Sequence, residues 1–131
     1  MHGCAAELSA LFDRLELTPE TIVVLVGDYV DRGPDSRQAL EVILERSERC
    51  QLIPLLGNHD GMFLSFLSEP SSPQAVTFIY NGGGATLASY ADDDGSYRIP
   101  REHVALLHDL RLWYETPEFF VVHAGVPDLP L

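Results

Sequence analysis

The sequence is poor in basic residues. Its 131 residues include 8 Lys and Arg against 20 Asp and Glu, so the formal net charge is −12. This balance argues against a nucleic-acid-binding surface, which needs clustered positive charge. The same negative charge repels phosphorylated ligands, so a site that handles phosphate must carry its own local positive charge. Bound divalent metal ions supply such charge.

Cysteine and long apolar runs are also scarce. The two cysteines, Cys4 and Cys50, do not make a disulfide framework, so a reducing cytoplasm is the expected location. No apolar run approaches the roughly 20 residues that cross a bilayer, and no signal-peptide pattern precedes the first predicted helix. Hydrophobic residues make up 46% of the chain, as in globular proteins. We therefore predict one domain over residues 1–131, with no membrane partner.

The stretch GDYVDRG at residues 27–33 follows an apolar, β-branched run at residues 21–26. The run predicts a strand that is buried on both faces. Ligands of α/β sheets bind beyond the carboxyl ends of strands, where Asp28 offers the first hard ligand and Arg32 a planar fork for phosphate oxygens. Taken alone, this heptad is explained equally well as a polar turn closed by an Asp–Arg ion pair.

The same arrangement recurs twice along the chain. A second apolar strand at residues 50–56 is followed by Asn58, and a third at residues 118–122 is followed by His123. Parallel strands with helical crossover connections bring such strand ends together. We therefore predict a layered α/β fold in which Asp28, Asn58 and His123 converge. Carboxylate, amide and imidazole ligands suit Mn²⁺, Fe or Zn²⁺ better than Ca²⁺.

Several other patterns are interpreted as structural. The glycines at residues 82–84 predict a backbone turn rather than a phosphate cradle, because they lack the dinucleotide and P-loop patterns. The acidic run at residues 92–94 predicts a solvated loop rather than a calcium site. His103 and His108 do not share a helix face and are predicted at the surface. The first helix is predicted over residues 5–17.

Three strand-end motifs together resemble those of the calcineurin-like metallophosphoesterases: GDYVDRG at residues 27–33, GNHD at residues 57–60 and VHAG at residues 122–125. The chain is most similar to the phosphoprotein phosphatase branch, which includes bacterial serine/threonine phosphatases and diadenosine tetraphosphatases. HGC at residues 2–4 is similar to the end of that family's opening motif, and NGG at residues 81–83 resembles bacterial members. The resemblance implies a mixed two-sheet sandwich flanked by helices.

The resemblance also implies a dinuclear centre of divalent metal ions, with Mn²⁺ expected first and Fe or Zn²⁺ as alternatives. The implied ligands are Asp28 bridging both ions, His2 on the first ion, and Asn58 with His123 on the second. His59 would protonate the leaving group, Asp31 would orient the His59 imidazole, and Arg32 would hold phosphate oxygens. Asp60 would have a supporting or purely structural role.

The function implied by the resemblance is hydrolysis of phosphate monoesters, first of all phosphoserine, phosphothreonine or phosphotyrosine in proteins. The alternative substrate is a dinucleoside polyphosphate such as diadenosine tetraphosphate, because both enzyme groups share the strand-end motifs. The alternative from another class is an inactive fragment or a binding pseudophosphatase. The expected partner is therefore a phosphorylated protein or a small phosphoester.

The sequence departs from the family pattern at both ends. The family's first metal ligand, an Asp two residues before His2, is absent together with the strand that carries it. A further metal-binding His and a second phosphate-binding Arg downstream of His123 are absent as well. Missing ligands leave an ion under-coordinated and the remaining carboxylates repelling one another. We therefore expect a fragment with little activity and limited solubility, whose parent protein is an enzyme.

Overall fold

The computed structural model describes residues 1–126, so residues 127–131 of the predicted domain lie outside the described part. Helices and strands alternate along the chain, as predicted for an α/β fold. Their order is α1 (Ala5–Phe12), β1 (Ile22–Leu25), α2 (Ser36–Ser47), β2 (Gln51–Pro54), α3 (Asn58–Ser68), α4 (Pro73–Phe78), a π-helical turn (Ile79–Gly83), α5 (Gly84–Ser89), α6 (Arg101–His108), β3 (Trp113–Glu115) and β4 (Phe120–Val122).

Two short sheets contain the strands. β1 and β2 are parallel, with Ile22 opposite Gln51, and α2 is the crossover connection between them. β3 and β4 form an antiparallel hairpin, so the strand before His123 is not a parallel neighbour of β1 and β2 as the prediction required. A single parallel bridge joins Leu55 to Arg111, so the chain leaving β2 lies beside the chain that leads into β3. The predicted α/β class is therefore confirmed.

Local sequence explains where two of the helices begin. The Asp35 carboxylate accepts the backbone N–H of Gln38 at 2.8 Å, which satisfies one of the free donors at the start of α2. The Ser72 hydroxyl accepts the N–H of Ala75 at 3.2 Å, and Pro73 occupies the first position of α4. These contacts fix the first turn of α4.

The core is built largely from aromatic side chains of α3, α4 and the end of α5. Phe78 packs on Phe63 at 5.3 Å and on Phe66 at 4.9 Å between ring centroids. Tyr90 stacks on Phe63 at 6.4 Å from the other side. Leu40 from α2 completes this cluster and is fully buried. Burial of such side chains stabilises the fold by about 25 cal/mol per Å² of apolar surface.

Strand β1 is less buried than predicted. Ile22 and Val26 expose 50% and 53% of their surface, so the expectation of a strand buried on both faces is wrong. Within residues 1–126, β1 pairs along one edge only, with β2, and the two-stranded sheet is too narrow to cover it. An apolar, β-branched run therefore does not by itself establish burial.

Helix α1 is shorter than predicted. It ends at Phe12 rather than at residue 17, and the N–H groups of Arg14 and Leu15 bond to the third residue before them, as in turns. Leu11 and Leu15 remain exposed. The apolar spacing identified the helix, but only Leu8 and Phe12 of its predicted inner face are buried in the core.

His103 is buried, so its predicted surface position is wrong. Its Nδ1 lies 2.8 Å from the Tyr90 hydroxyl, and its Nε2 lies 3.0 Å from a Glu41 carboxylate oxygen. These partners lie on other elements of the chain, which is why a pattern local to α6 missed them. His108 is exposed, and so is the acidic run at residues 92–94. Within residues 1–126, none of the helices has the length and apolar character needed to cross a bilayer.

Candidate active site

The candidate site is built on the loop that follows β1. Three of its residues other than glycine have left-handed backbone conformations, with φ of 58° at Asp28, 71° at Asp31 and 63° at Arg32. Such conformations are uncommon for residues with a Cβ and persist only where surrounding contacts hold them. Gly27, at φ +90°, lies so close to the Gly57 backbone that an added Cβ would come within 2.6 Å of the Gly57 nitrogen. The loops after β1 and β2 therefore lie against each other.

The Asp60 carboxylate joins these two loops. It accepts backbone N–H groups from Gly57 at 3.0 Å, from Asp28 at 2.8 Å and from Tyr29 at 2.9 Å. Asp60 is fully buried, and burial raises the pKa of its carboxyl against the opposing effect of those three donors. Its contacts are with backbone, which agrees with the supporting role that the sequence suggested.

The Tyr29 side chain anchors the same loop by hydrogen bonds to the ends of two strands. Its side chain is fully buried, and its hydroxyl lies 2.8 Å from the Leu55 carbonyl oxygen and 3.0 Å from the Leu25 carbonyl oxygen. Burial raises the pKa of the Tyr29 phenol, which stays protonated and donates to these carbonyl groups. Tyr29 therefore combines a buried position with hydrogen bonds at the ends of both parallel strands.

The amino-terminal residues pair with the loop. The N–H of His2 donates to the Asp28 carbonyl at 2.7 Å, and the N–H of Gly3 donates to the Tyr29 carbonyl at 2.8 Å. These bonds bring the His2 ring to the site, where its Nε2 lies 3.5 Å from Asp28 Oδ2. His123, which follows β4, approaches from the other side, with its Nε2 3.5 Å from Asp28 Oδ1.

Both imidazoles use their Nδ1 atoms on backbone carbonyl groups. His2 Nδ1 lies 3.0 Å from the Val30 oxygen, and His123 Nδ1 contacts the Val26 oxygen. Since a carbonyl only accepts, Nδ1 carries the proton in each ring and the Nε2 lone pairs face Asp28. Metal-binding histidines are typically oriented by such a bond.

The donor set fits a divalent cation. His123 Nε2 lies 3.1 Å from Asn58 Oδ1, and Asp28 offers one carboxylate oxygen to each imidazole. Atoms about 2.1 Å from a shared ion lie roughly 3.0–3.4 Å apart at octahedral to tetrahedral angles. Lone pairs that converge on one space at these separations repel one another unless a cation lies between them. The ligand atoms of His2, Asp28 and His59 also lie within 4.8 Å of one another.

His59 lies between a carboxylate and a guanidinium. Its Nδ1 is 2.7 Å from Asp31 Oδ2, and its Nε2 is 3.1 Å from an Arg32 nitrogen. His59 exposes 3% of its surface and Asp31 none, whereas Arg32 is exposed. Burial raises the pKa of the Asp31 carboxyl, opposed by its hydrogen bonds with His59 and Thr86. The chain therefore presents a buried, oriented imidazole beside an accessible cation.

Three neighbours of this group were missed by sequence reasoning. The Ser36 and Thr86 hydroxyls both accept the backbone N–H of Asp31, at 3.1 Å and 2.8 Å. The carbonyl oxygen of Gly82 accepts the backbone N–H of Arg32 at 3.2 Å. The resemblance of NGG at residues 81–83 to bacterial members was the one signal near them. Gly82 has a φ of +104°, so the predicted backbone turn is present, and it lies against Arg32.

An apolar cavity of about 450 Å³ adjoins the donor set. Asn58 and His123 lie on its wall, together with Trp113 and Phe120 of the hairpin. The aromatic side chains each expose about half of their surface, at 53% and 52%. A ligand at Asn58 and His123 would therefore lie next to apolar surface.

The structure brings all of the predicted site residues together. The Asp28 carboxylate contacts both His2 and His123, Asn58 contacts His123, and His59 contacts both Asp31 and Arg32. The helix start at Asn58 adds the partial positive charge of a helix N-terminus on the same side. The chemical roles assigned to these residues stay predictions.

Comparison with known proteins gives one family and a group of relatives. A sequence profile described as calcineurin-like phosphoesterase matches residues 1–129. A protein of Salmonella arizonae named symmetrical bis(5'-nucleosyl)-tetraphosphatase is 44% identical over 61 residues, which is 46% of this chain and 21% of the relative. Proteins of the same name from Erwinia tasmaniensis and Pectobacterium carotovorum are 43% and 41% identical over 61 residues, 46% of this chain and 22% and 21% of each relative. The chain thus matches about a fifth of the length of these curated relatives.

Proposed function

Because the chain belongs to the calcineurin-like phosphoesterase family, we propose that the whole protein hydrolyses phosphoester or phosphoanhydride bonds at a divalent metal centre. One observation supports this reaction above all others. The imidazole of His59 is fixed by Asp31 at 2.7 Å, beside the exposed Arg32 guanidinium and beside the Asp28, His2 and His123 donor set. Hydrolysis of a phosphate derivative needs a proton donor, an anion-binding cation and a way to activate water, and these residues supply the first two.

The residues that would hold divalent metal ions in this proposal are His2, Asp28, Asn58 and His123, and the two Asp28 oxygens face different imidazoles. A bound divalent ion supplies positive charge for the phosphoryl oxygens and lowers the pKa of water toward neutrality. We propose Mn²⁺ first, because mixed oxygen and nitrogen ligands suit it, with Fe or Zn²⁺ as alternatives. The orientation of both imidazoles by backbone carbonyl groups keeps their Nε2 atoms available for this purpose.

His59 is the proposed proton donor to the leaving oxygen. Its Nδ1–H is committed to Asp31, so Nε2 is the atom that exchanges a proton with the substrate. Arg32 is the proposed phosphate ligand, because its planar fork matches two phosphate oxygens and its side chain is exposed at the site. When Arg32 turns toward phosphate, its N–H no longer donates to His59 Nε2, which is then free to carry the proton that it gives to the leaving oxygen.

We propose a dinucleoside polyphosphate as the substrate. The relatives carry that activity in their name, and they support this alternative better than the phosphoprotein substrate that the strand-end motifs suggested first. A phosphorylated protein is the second candidate, because the motifs are shared by both enzyme groups. We place the protein in the cytoplasm, where Cys4 and Cys50, both free thiols, stay reduced.

The test is a comparison of substrates with the full protein loaded with Mn²⁺. We expect turnover of diadenosine tetraphosphate, slower or no turnover of a phosphoserine peptide, and loss of activity in Asp28→Ala. Faster turnover of the phosphopeptide would reverse the order of the two substrates. If wild-type protein hydrolyses neither compound nor p-nitrophenyl phosphate, the proposed function is wrong and a binding or inactive protein remains.

A further inference from the structure

A buried pair of hydroxyl groups lies behind the proposed proton donor. Ser36 begins α2 and Thr86 lies in α5, and both are fully buried. Their hydroxyl oxygens are 3.1 Å apart, and both contact Asp31. A buried hydroxyl is costly unless it is hydrogen-bonded, and here Thr86 contacts the Asp31 carboxylate while Ser36 contacts Thr86 and the Asp31 backbone N–H.

The hydrogen atoms of this network can be assigned completely. Thr86 donates its single hydroxyl hydrogen to Asp31 Oδ1 at 2.7 Å, so Ser36 must be the donor in the contact between the two hydroxyls. The backbone N–H of Asp31 is shared between Thr86 at 2.8 Å and Ser36 at 3.1 Å. Each hydroxyl therefore donates once, and every acceptor in the group has a partner.

Each oxygen of the Asp31 carboxylate accepts a hydrogen bond from a different residue. Oδ1 accepts from Thr86 at 2.7 Å, and Oδ2 accepts from His59 Nδ1 at 2.7 Å. The terminal torsion of an aspartate has a broad range, so one hydrogen bond does not fix the carboxylate plane. A second hydrogen bond, to the other oxygen, fixes this plane, and the Thr86 hydroxyl donates that bond.

We propose that Thr86, backed by Ser36, is a positioning residue that fixes the Asp31 carboxylate and thereby orients the His59 imidazole. The effect on turnover rests on the proposed function, whereas the orientation itself is a property of the folded chain. Thr86 touches no substrate. It acts from α5, 55 residues away from Asp31 in the sequence, and its role is to keep the proton-donating nitrogen aimed at the leaving oxygen.

A leaving-group comparison separates this role from general damage to the fold. A general acid matters most for a poor leaving group such as phenolate, and least for p-nitrophenolate, which departs without a proton. In the full protein loaded with Mn²⁺, we expect Thr86→Val to lower kcat on phenyl phosphate roughly 10- to 100-fold, with KM and the rate on p-nitrophenyl phosphate changing less than about threefold. Thr86→Ser keeps the hydroxyl and should restore the wild-type rates.

Thr77→Val is the matched control. It removes the same hydroxyl group from an exposed position of α4, where the Thr77 hydroxyl donates to the Pro73 carbonyl of its own helix. We expect wild-type kinetics on both substrates. An equal loss on both substrates in Thr86→Val would overturn the positioning role, because a merely misfolded site loses all activity alike.

A second measurement does not depend on turnover. A histidine Nδ1–H that donates to a buried carboxylate gives a low-field proton resonance. If this resonance is absent from the spectrum of His59→Gln, it is assigned to His59. We expect this resonance in wild-type and Thr86→Ser protein, and its loss or a marked shift in Thr86→Val. An unchanged resonance in Thr86→Val, or no such resonance in wild-type protein, would overturn the inference. If wild-type protein hydrolyses no phosphoester, the proposed function fails while this comparison still decides the positioning role.

Discussion

The Asp60 carboxylate accepts hydrogen bonds from the backbone of the site loops. Its carboxylate gathers three N–H groups from two loops that are separated in sequence, including the N–H of Asp28. Four nearby residues have positive φ without being glycine, and the loop would not adopt these conformations unsupported: His2, Asp28, Asp31 and Arg32. The positions of the proposed ligands therefore depend on a side chain that is not proposed as a ligand.

We expect Asp60→Asn to destabilise the fold. The amide has one acceptor oxygen, and its NH₂ group would face an N–H donor, so at least one buried N–H loses its partner. The free energy of unfolding should fall by about 1–3 kcal/mol, measured by urea denaturation. Asp93→Asn, in the exposed loop, is the control and should change little. Equal urea midpoints for the two variants would contradict the role of Asp60.

At the scale of elements, the π-helical turn decides where Arg32 lies. Gly82 in this turn has a φ of +104°, and an added Cβ would come within 2.9 Å of the Arg32 Cγ and 3.1 Å of its backbone nitrogen. Its carbonyl accepts the Arg32 N–H. The turn between α4 and α5 is therefore packed directly against the proposed phosphate ligand.

We expect Gly82→Ala to lower the free energy of unfolding by about 1–2 kcal/mol, because a residue with a Cβ is strained at this φ. The added methyl group would also press on Arg32, the proposed phosphate ligand, so KM for a phosphoester should rise. Gly84→Ala is a matched control two positions on, at a helical φ of −56° and with no atom within 4 Å of the added Cβ. Wild-type stability of Gly82→Ala, by urea denaturation, would be inconsistent with the described packing.

The packing of α6 on α2 makes stability depend on pH. Burial lowers the pKa of His103, against the opposing effect of the Glu41 carboxylate and, more weakly, of Glu102. Tyr90 and Arg37 are the other polar groups facing the ring. Because the folded-state pKa lies below the ordinary value of about 6.5, the unfolded chain takes up the proton first on acidification.

Stability should therefore be complete above about pH 6.5 and fall as the pH drops through the folded-state pKa, by at most about 1.4 kcal/mol per pH unit for one proton. In metal-free protein, His103→Gln should remove the part of the pH dependence of the unfolding free energy that comes from this ring. His108→Gln, at an exposed position, should leave that pH dependence unchanged. Urea denaturation at several pH values measures both. A slope that is identical in His103→Gln and wild type would contradict the buried, neutral state of this ring.

At the scale of the whole molecule, the acidic charge and the converging ligands point to the same requirement. A formal charge of −12 opposes phosphate binding, and Asp28 sits between two imidazole nitrogens whose lone pairs face it. A divalent ion relieves both problems at once. An ion held by the proposed ligands would also join the segment before α1 to the loops after β1, β2 and β4, so metal binding and folding should be coupled.

We expect Mn²⁺ to raise the melting temperature of the protein. At a free concentration of one hundred times Kd, binding to the folded state alone contributes about 2.7 kcal/mol. Asp28→Asn should abolish the shift, and Asp94→Asn, an exposed carboxylate outside the site, should keep it. Differential scanning fluorimetry with and without EDTA measures the change. An equal shift in Asp28→Asn would show that Mn²⁺ binds elsewhere.

Much of the site could be predicted because its residues follow strands directly. Asp28 and Asn58 stand two positions beyond apolar runs that form the parallel neighbours β1 and β2, whose carboxyl ends meet. His123 also follows an apolar run, but its strand β4 pairs antiparallel with β3 in the other sheet, so a parallel arrangement does not explain its position. The pairing of His59 with Asp31 came from the family resemblance rather than from spacing. Residue exposure was harder to predict, because Ile22 and Val26 are apolar yet half exposed, and His103 is polar yet buried.

The chemical groups that follow each strand, the presence of the first helix and the family could be read from the amino-acid sequence. Side-chain identity and hydrophobic periodicity are local properties, so a single chain displays them directly. The contacts of Thr86 with Asp31, of Gly82 with Arg32 and of His103 with Tyr90 and Glu41 became visible in the folded chain alone. They arise from packing between elements that are distant in the sequence, and no local pattern records such packing.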